Sequence, residues 1–290
     1  MATHPVDGTA IEQRHIYVAP PDHHMLLEQG RIRVIRGPRE NRHQPAIDPL
    51  FRSAGVAYGP RVVGVILTGS LDDGTAGLEA IKQRGGVAVV QNYTEALFSS
   101  MPHSAVEHVK VDYVLSLSAI AEKLRELAHE VVKESEESPV SRNMETEVSM
   151  AKMQIPPENE GEQVGTPSAY SCPECGGVLW EIHDGELLRF RCRVGHAFSV
   201  ESMMAEQTDT IEEAMWIALK TLEESVSISH RMASQARQRG HTSLVRRLEE
   251  RGKLAQQRVE LLMNALQKSD TNPPEVQDGI SEKVSGSPGT

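Results

Sequence analysis

The stretch that most constrains the fold is RVVGVILTGSLDDGTAGLEAIKQRGG, residues 61–86. Val62 to Leu67 form an apolar, largely β-branched run of the kind that suits a buried strand. The run stops at Thr68-Gly69. Asp72 and Asp73 follow, and Gly74-Thr75 opens a helical pattern through Leu78, Ala80 and Ile81. A strand that feeds a helix through a short turn is the repeating unit of an α/β layer. In open α/β sheets ligands sit outside the carboxyl ends of strands, so an acid pair at such an end is a candidate for chemistry. The same acids also suit a helix N-cap, where a carboxylate accepts orphan backbone N–H bonds and meets the positive end of the helix dipole. A phospho-acceptor aspartate is a third use for an acid ending a strand. No further acidic pair lies near an earlier strand to hold Mg²⁺ for it.

The flanking sequence extends this pattern over residues 1–134. Arg14 to Pro20 (RHIYVAP) predicts a strand, and His24 to Gly37 a hairpin that turns at Gln29-Gly30. Pro45 to Gly59 predicts a helix despite Pro49. Val87 to Asn92 and Val111 to Leu117 predict strands, with a short helix over Met101 to Val109 between them. Ser118 to Glu134 predicts an amphipathic helix, with Ile120, Leu124, Leu127 and Val131 at helical spacing. Strands separated by helices point to a mainly parallel sheet.

Residues 135–168 are rich in Ser, Glu, Pro and Gly and predict a disordered acidic linker, with room for a brief helix near Glu145 to Met153. Residues 201–267 predict two helices meeting near Gly240. One carries Ile211, Met215, Leu219, Leu222 and Val226, and the other Leu244, Leu248, Leu254, Val259, Leu262 and Leu266. Residues 268–290 predict a disordered polar tail. A net charge of −11 over 290 residues argues against nucleic acid as the main partner. No apolar run approaches the roughly 20 residues that a membrane span needs, and the N-terminus does not read as a signal peptide. A cytoplasmic location is the resulting expectation.

The cysteines are concentrated at 169–200, in CPECGGVLWEIHDGELLRFRCRVGHAF. Cys172-x2-Cys175 is followed by sixteen residues and then by Cys192-x3-His196. Two close pairs that supply three thiolates and an imidazole suit a tetrahedral Zn²⁺. The intervening segment predicts a β-hairpin turning at His183-Asp184-Gly185, which makes the whole a zinc ribbon. With four protein ligands the predicted zinc is structural. His183 is the alternative to His196 as fourth ligand, disfavoured by its place at the turn.

Several motifs in succession then resemble one family. HIYVAPPDHHMLLEQGRIRVIRGPRENRHQPAIDPLFRSAG, GVILTGSLDDGTAGL and VVQNYTEALFSSMPHSAV look like successive motifs of the bacterial chemotaxis protein-glutamate methylesterase, over about residues 4–125. Asn41-Arg42-His43-x-Pro45, Asp48, the TG-to-DG turn and Met101-Pro102 fall in the family's order. The cysteine ribbon resembles an extension carried by a subset of such proteins. The resemblance implies a doubly wound α/β catalytic domain that hydrolyses glutamyl methyl esters on the cytoplasmic helices of chemoreceptors with a Ser-His-Asp triad. It implies that Asp73, standing before Gly74, is the aspartate of that triad. A methionine usual in this turn is replaced by Ser70.

The family's serine and histidine lie upstream of the YVAP strand. Residues 1–13 contain His4 but no serine and no Gly-x-Ser turn. Ser53 and Ser70 do not stand at the nucleophile's position. The resemblance is therefore to the C-terminal part of the catalytic domain, an incomplete doubly wound domain lacking its first βα units, followed by a zinc ribbon and a helical hairpin. Such a chain is expected to be inactive alone. The alternative is a non-catalytic adaptor that binds chemosensory signalling proteins through its ribbon and helices. The cluster Arg36, Arg39 and Arg42 reads as a solvated loop face, with contact to acidic receptor helices as the less favoured alternative.

Overall fold

The computed structural model describes residues 2–132, 139–154, 165–185 and 187–269. Contacts divide the chain into two compact units, 1–207 and 208–290. The first begins with β1 (Ala2–Thr3), which pairs in parallel with β2 (Ile16–Tyr17). The expected strand at 14–20 thus shrinks to two residues. Arg14 has a left-handed φ of 63°, and Pro20-Pro21 offers no N–H to extend a ladder. Next, β3 (His24–Glu28) and β4 (Arg31–Ile35) form the expected hairpin, with Glu28 opposite Arg31 across Gln29-Gly30. Helix α1 (Ile47–Tyr58) packs against β3.

The central sheet holds β5 (Val63–Ile66), β6 (Val87–Gln91) and β7 (Tyr113–Leu115) in that order, all parallel. Helices α2 (Thr75–Gln83) and α3 (Ser100–His108) make the crossovers. Ile66, Leu78, Ala88, Val90, Ala105 and Val109 fill the core between sheet and helices. The family of elements expected from the sequence, an α/β fold with a mainly parallel sheet, is present. After β7, α4 (Leu117–Leu127) starts at Ser116, whose Oγ accepts from Ala119 N. It stops seven residues short of the expected end at Glu134. His129 Nδ1 lies 2.7 Å from the carbonyl of Arg125 and closes the last turn. Val131, expected on the apolar stripe, is 91% exposed.

The segment read as a linker contains α5 (Arg142–Ala151), capped by Ser141 and packed on α1. It buries Met144, Glu147, Val148 and Ala151, the i, i+3, i+4, i+7 stripe of an amphipathic helix. Of that expected linker, 135–138 and 155–164 lie outside the described residues, as does the tail beyond 269, and its last residues, from Thr166, already belong to a strand. The ribbon follows as an antiparallel sheet of β8 (Thr166–Ser171), β9 (Val178–Asp184), β10 (Leu187–Cys192) and β11 (Ala197–Ser199), in the order β11-β10-β9-β8. His183 lies in β9 opposite Leu188, so the hairpin turns one residue later than expected. Leu179, Phe190, Phe198 and Met203 pack with Cys172 and Cys192 in its interior.

Two long helices complete the described residues, α6 (Val200–Gln238) and α7 (Thr242–Ser269), with the break at the expected Gly240. In the second unit Leu219, Val259 and Leu266 form the buried seam, flanked by Met215, Leu222 and Leu262. Ile211 and Leu254, both expected on the seam, fall outside it. Ile211 is 61% and Leu254 50% exposed, and Ala255, one residue on, is buried instead. Among the described residues no helix is long and apolar enough to cross a membrane.

Candidate active site and candidate metal centre

Asp72 and Asp73 sit where β5 hands over to α2, at the carboxyl end of the sheet. Both are buried. The Asp73 carboxylate does not cap its own helix: the N-cap of α2 is Gly74, and no side chain bonds there. Instead Asp73 Oδ2 accepts from Ile47 N at 2.8 Å, and Oδ1 from Asp48 N at 3.4 Å. These are the first amides of α1, whose N-cap residue, Ala46, has no side-chain acceptor. Asp48 returns the contact, since its Oδ1 accepts from Gly77 N of α2 at 2.6 Å. Two helix N-termini are thus clasped by exchanged carboxylates, each placed where the helix dipole favours negative charge.

Asn41 bridges the clasp. Its Nδ2 donates to Asp48 Oδ2 at 2.7 Å and to Asp73 Oδ1 at 3.1 Å. Burial pushes the Asp73 carboxyl up to about 7, with the Asp48 charge adding to the rise and the donors opposing it. Burial raises Asp48 as well. Asp72 is also pushed up to about 7 by burial, against the hydrogen bond from Ser199. Near neutral pH Asp72 and Asp73 therefore sit close to their midpoints.

The ribbon lies directly on this cluster. Strand β11 runs beside residues 39–41, with Asn41 N donating to Ala197 O at 2.8 Å and Ala197 N to Arg39 O at 3.2 Å. Ser199 N and Ser202 Oγ donate to Asn41 Oδ1, so both ends of that amide are satisfied. Ser199 Oγ donates to Asp72 Oδ1 at 2.7 Å and also receives Ser202 N in the first turn of α6. A cavity of about 280 Å³ remains beside the pair, lined by Asp72, Thr75, Ser104, His108 and Glu201 among others. His108 Nδ1 lies 3.0 Å from Ser104 O. Among the described residues no histidine or serine bonds to Asp73.

A buried ion network fastens the ribbon further. Arg189 and Arg191 of β10 project onto Glu147 of α5, whose oxygens lie 2.9 Å from Arg189 Nη1 and Nη2 and 3.0 Å from Arg191 Nε. Arg52 of α1 reaches Glu40 at 3.1 Å and Glu147 at 3.5 Å. Arg191 Nη2 lies 3.0 Å from both Glu40 and Glu147, in contacts that are ionic without hydrogen-bond geometry. Arg189 also pairs with the half-buried Asp184. The guanidinium charges hold Glu40 down at about 2 and Glu147 well below the usual carboxylate range, against the opposing effect of burial.

His23 and His24 have structural partners. His24 is buried between Pro38 O and Ala46 N, and His23 contacts Pro21 O. His43 is held below its ordinary value by burial and by Arg42 and Arg39. Arg42 is paired with Glu206 at 2.6 Å and Arg39 with Glu174 at 3.5 Å, which occupies two members of the arginine cluster.

The expected metal ligands converge. One ligand atom each from Cys172, Cys175, Cys192 and His196 lies within 4.8 Å of all the others. Cys175 Sγ is 3.7 Å from Cys192 Sγ, and His196 Nδ1 is 3.7 Å from Cys172 Sγ and 3.5 Å from Cys192 Sγ. A tetrahedron with Zn–S near 2.3 Å and Zn–N near 2.0–2.1 Å has edges of about 3.8 and 3.6 Å, so the donor set fits that ion. Each pair sits on a matching turn: Gly176 N returns to Cys172 O and Gly195 N to Cys192 O. Both glycines have positive φ, 71° and 111°, which a side chain would strain. His183, the alternative ligand, is outside the cluster.

Comparison with known proteins bears on the first unit. The family model for the CheB methylesterase matches residues 2–124. A putative protein-glutamate methylesterase/protein-glutamine glutaminase of Leptospira interrogans is 47% identical over 113 residues, which cover 39% of this chain and 58% of that protein. Residues 2–124 belong to the CheB methylesterase family.

The protein-glutamate methylesterase/protein-glutamine glutaminase of Escherichia coli K12 is 37% identical over 122 residues, covering 41% of this chain and 35% of that protein. The catalytic domain of the Thermotoga maritima CheB methylesterase aligns over 43% of this chain and 68% of its own, at 31% identity and a TM-score of 0.41. The chain thus spans about half the length, or less, of the curated relatives it matches. Within the CheB-like segment, sequence reasoning had singled out Asp73, Asn41 and Asp48 but had no means of joining them. It missed Glu40, Arg52, Glu147, Arg189 and Arg191 altogether. A signal for the last two was available. In LLRFRC, arginines alternate with Phe190, so a face turned away from the ribbon core is built of cations that need acids opposite.

Proposed function

We propose that residues 2–124 are the aspartate-bearing part of a protein-glutamate methylesterase site, acting on glutamyl methyl esters of chemoreceptor helices. Asp73 is the carboxylate that fixes the tautomer of a histidine and stabilises its imidazolium while a serine attacks the ester. The observation that carries this reading is the rigid hold on Asp73 at a strand's carboxyl end, by Ile47 N, Asp48 N and Asn41 Nδ2. An orienting acid without nucleophile and base does not turn over substrate. Residues 1–290 alone are therefore inactive on this reading, since no serine–histidine pair bonds to Asp73 among the described residues. The Cys172, Cys175, Cys192 and His196 centre holds a structural Zn²⁺ with no open coordination position, and its binding energy contributes to folding.

Methanol release from a methylated chemoreceptor fragment tests the proposal. Residues 1–290 are expected to release none above the buffer rate. Release that Asp73→Asn abolishes would overturn the inactivity and keep the role of the aspartate. Release that Asp73→Asn leaves unchanged would overturn both.

A further inference from the structure

The second compact unit has a face that its own seam does not use. The seam residues step by three and four along both helices, the pattern of an antiparallel coiled coil. On one side of that seam, a second series on α6 runs at the same spacing from Ile211 through Ala214, Ala218, Thr221, Ser225 and Ile228 to Met232 and Gln235, with no charged residue in it. The corresponding series on α7 runs from Leu244 to Ala265 and interleaves Leu254 and Leu261 with Arg247, Arg251 and Arg258. Neither series holds an acid. In antiparallel pairs these flanking positions of the two helices face the same side, so the series border a single groove.

The groove is open and its cations are unspent. Ile228 is 57%, Met232 47% and Leu261 70% exposed. Arg247, Arg251 and Arg258 are exposed and make no ion pair among the described residues. Other arginines of the unit do pair: Arg246 meets Glu250 at 3.1 Å, and Arg237 meets Glu249.

We propose that this groove docks a third helix, supplied by a partner protein, whose apolar stripe is bordered by acidic residues. Ala214 and Ala218 leave a shallow trough that lets a helix backbone approach, as in helix-in-groove recognition. The arginines stand within the apolar series, four and seven residues apart. Over those eleven residues the α7 axis rises about 16 Å, close to three turns of a partner helix. A partner carboxylate opposite each arginine satisfies it. A bilayer would have to take up the same arginines beside Leu254 and Leu261 at acyl depth, which disfavours a membrane surface. The proposal uses no residue of the first unit and stands apart from the esterase reading.

The test uses the full chain and a labelled synthetic peptide of about three heptads with a leucine stripe and flanking glutamates, read by fluorescence anisotropy. A second peptide carries lysine in place of each glutamate. Vesicles of equimolar phosphatidylcholine and phosphatidylglycerol are the third probe. The acidic peptide is expected to bind, more weakly as salt rises. Arg251→Glu with Arg258→Glu, or Leu254→Ser with Leu261→Ser, is expected to weaken it at least about tenfold with circular dichroism unchanged. No binding of the acidic peptide, equal binding of the lysine peptide, or no effect of either pair of substitutions overturns the proposal. So does vesicle binding lost in the arginine variant without peptide binding, which assigns the face to a membrane surface.

Discussion

Replacing Glu147 by Gln tests whether the ribbon and the α/β layer are one folded body. The side chain is 3% exposed and faces three guanidinium groups at 2.9–3.5 Å. Glutamine removes the charge and turns an N–H₂ toward donors that have no use for it. Arg52 and Arg191 are then left with Glu40, and Arg189 with the half-buried Asp184. Breaking a buried pair by removing one partner costs about 3–5 kcal/mol, because the desolvated charges left behind are uncompensated. With a urea slope near the upper end of the common range, about 2–3 kcal/mol per molar, the unfolding midpoint falls by about 1–2.5 M. Trp180 lies in β9 and gives a fluorescence readout from the ribbon itself. Adding Arg189→Met to Glu147→Gln removes one stranded cation, so the double variant should recover part of the loss, a coupling of about 1–3 kcal/mol. A cost under about 1 kcal/mol, or two substitutions that simply add, would show that these charges are solvated and that the ribbon does not rest on them.

The pH dependence of stability has two opposed arms. Glu40 is held at about 2 against an ordinary 4.5, so its contribution, about 3 kcal/mol, is present above pH 4.5 and is lost as pH falls toward 2. Asp72 and Asp73 are raised to about 7 from 3.8, so the folded state keeps their protons while the unfolded chain gives them up, and stability declines as pH rises from 3.8 to 7. Urea midpoints are therefore expected to peak at about pH 4–5, and Asp72→Asn to flatten the arm above it; a plateau from pH 5 to 8 in the parent protein contradicts this assignment. Gly77→Ala places a Cβ 2.6 Å from Phe51 Cβ and 3.0 Å from Asp48 Cα, which wedges α2 away from α1. A loss of about 1–3 kcal/mol in thermal or urea unfolding is expected, and an unchanged midpoint would mean that the helices separate freely.

What the sequence made legible was local. The hairpin at Gln29-Gly30, the strand-to-helix passage around Asp72 and Asp73, the knuckle pairs and the break at Gly240 each rest on signals within a few residues. What stayed hidden depends on partners far along the chain. Asp73 suits a cap of α2 by its position, yet it caps α1, 26 residues earlier, because Ala46 leaves those amides open. Glu147 stands in an acidic, Pro-rich stretch whose composition signals disorder, and its partners Arg189 and Arg191 lie 42 and 44 residues away. The sequence leaves room for a brief helix there, but the short stripe of Met144, Val148 and Ala151 does not announce that it packs on α1. Leu254 was misplaced for another reason: a large apolar residue outweighed the three-and-four spacing that selects Ala255.

The chain path links the candidate metal centre to the acid pair. His196 is followed at once by β11, whose Ala197 and Ser199 bond to Asn41 and Asp72, and Asn41 in turn holds Asp48 and Asp73. Withdrawing the metal removes the free energy that fixes His196 and hence the start of that strand. Asp72 then loses its hydroxyl donor, and Asn41 loses both donors to its carbonyl oxygen. The protein is expected to contain one zinc per chain by elemental analysis, and Cys172→Ser to lose it. Chelation is expected to speed hydrogen exchange at Ala197 and Ser199 first, and then at Ile47 and Gly77, whose amides are bonded to Asp73 and Asp48. Fast exchange in the ribbon with full protection at Ile47 and Gly77 would show the reverse: a clasp that stands by itself, with the ribbon a passenger on it.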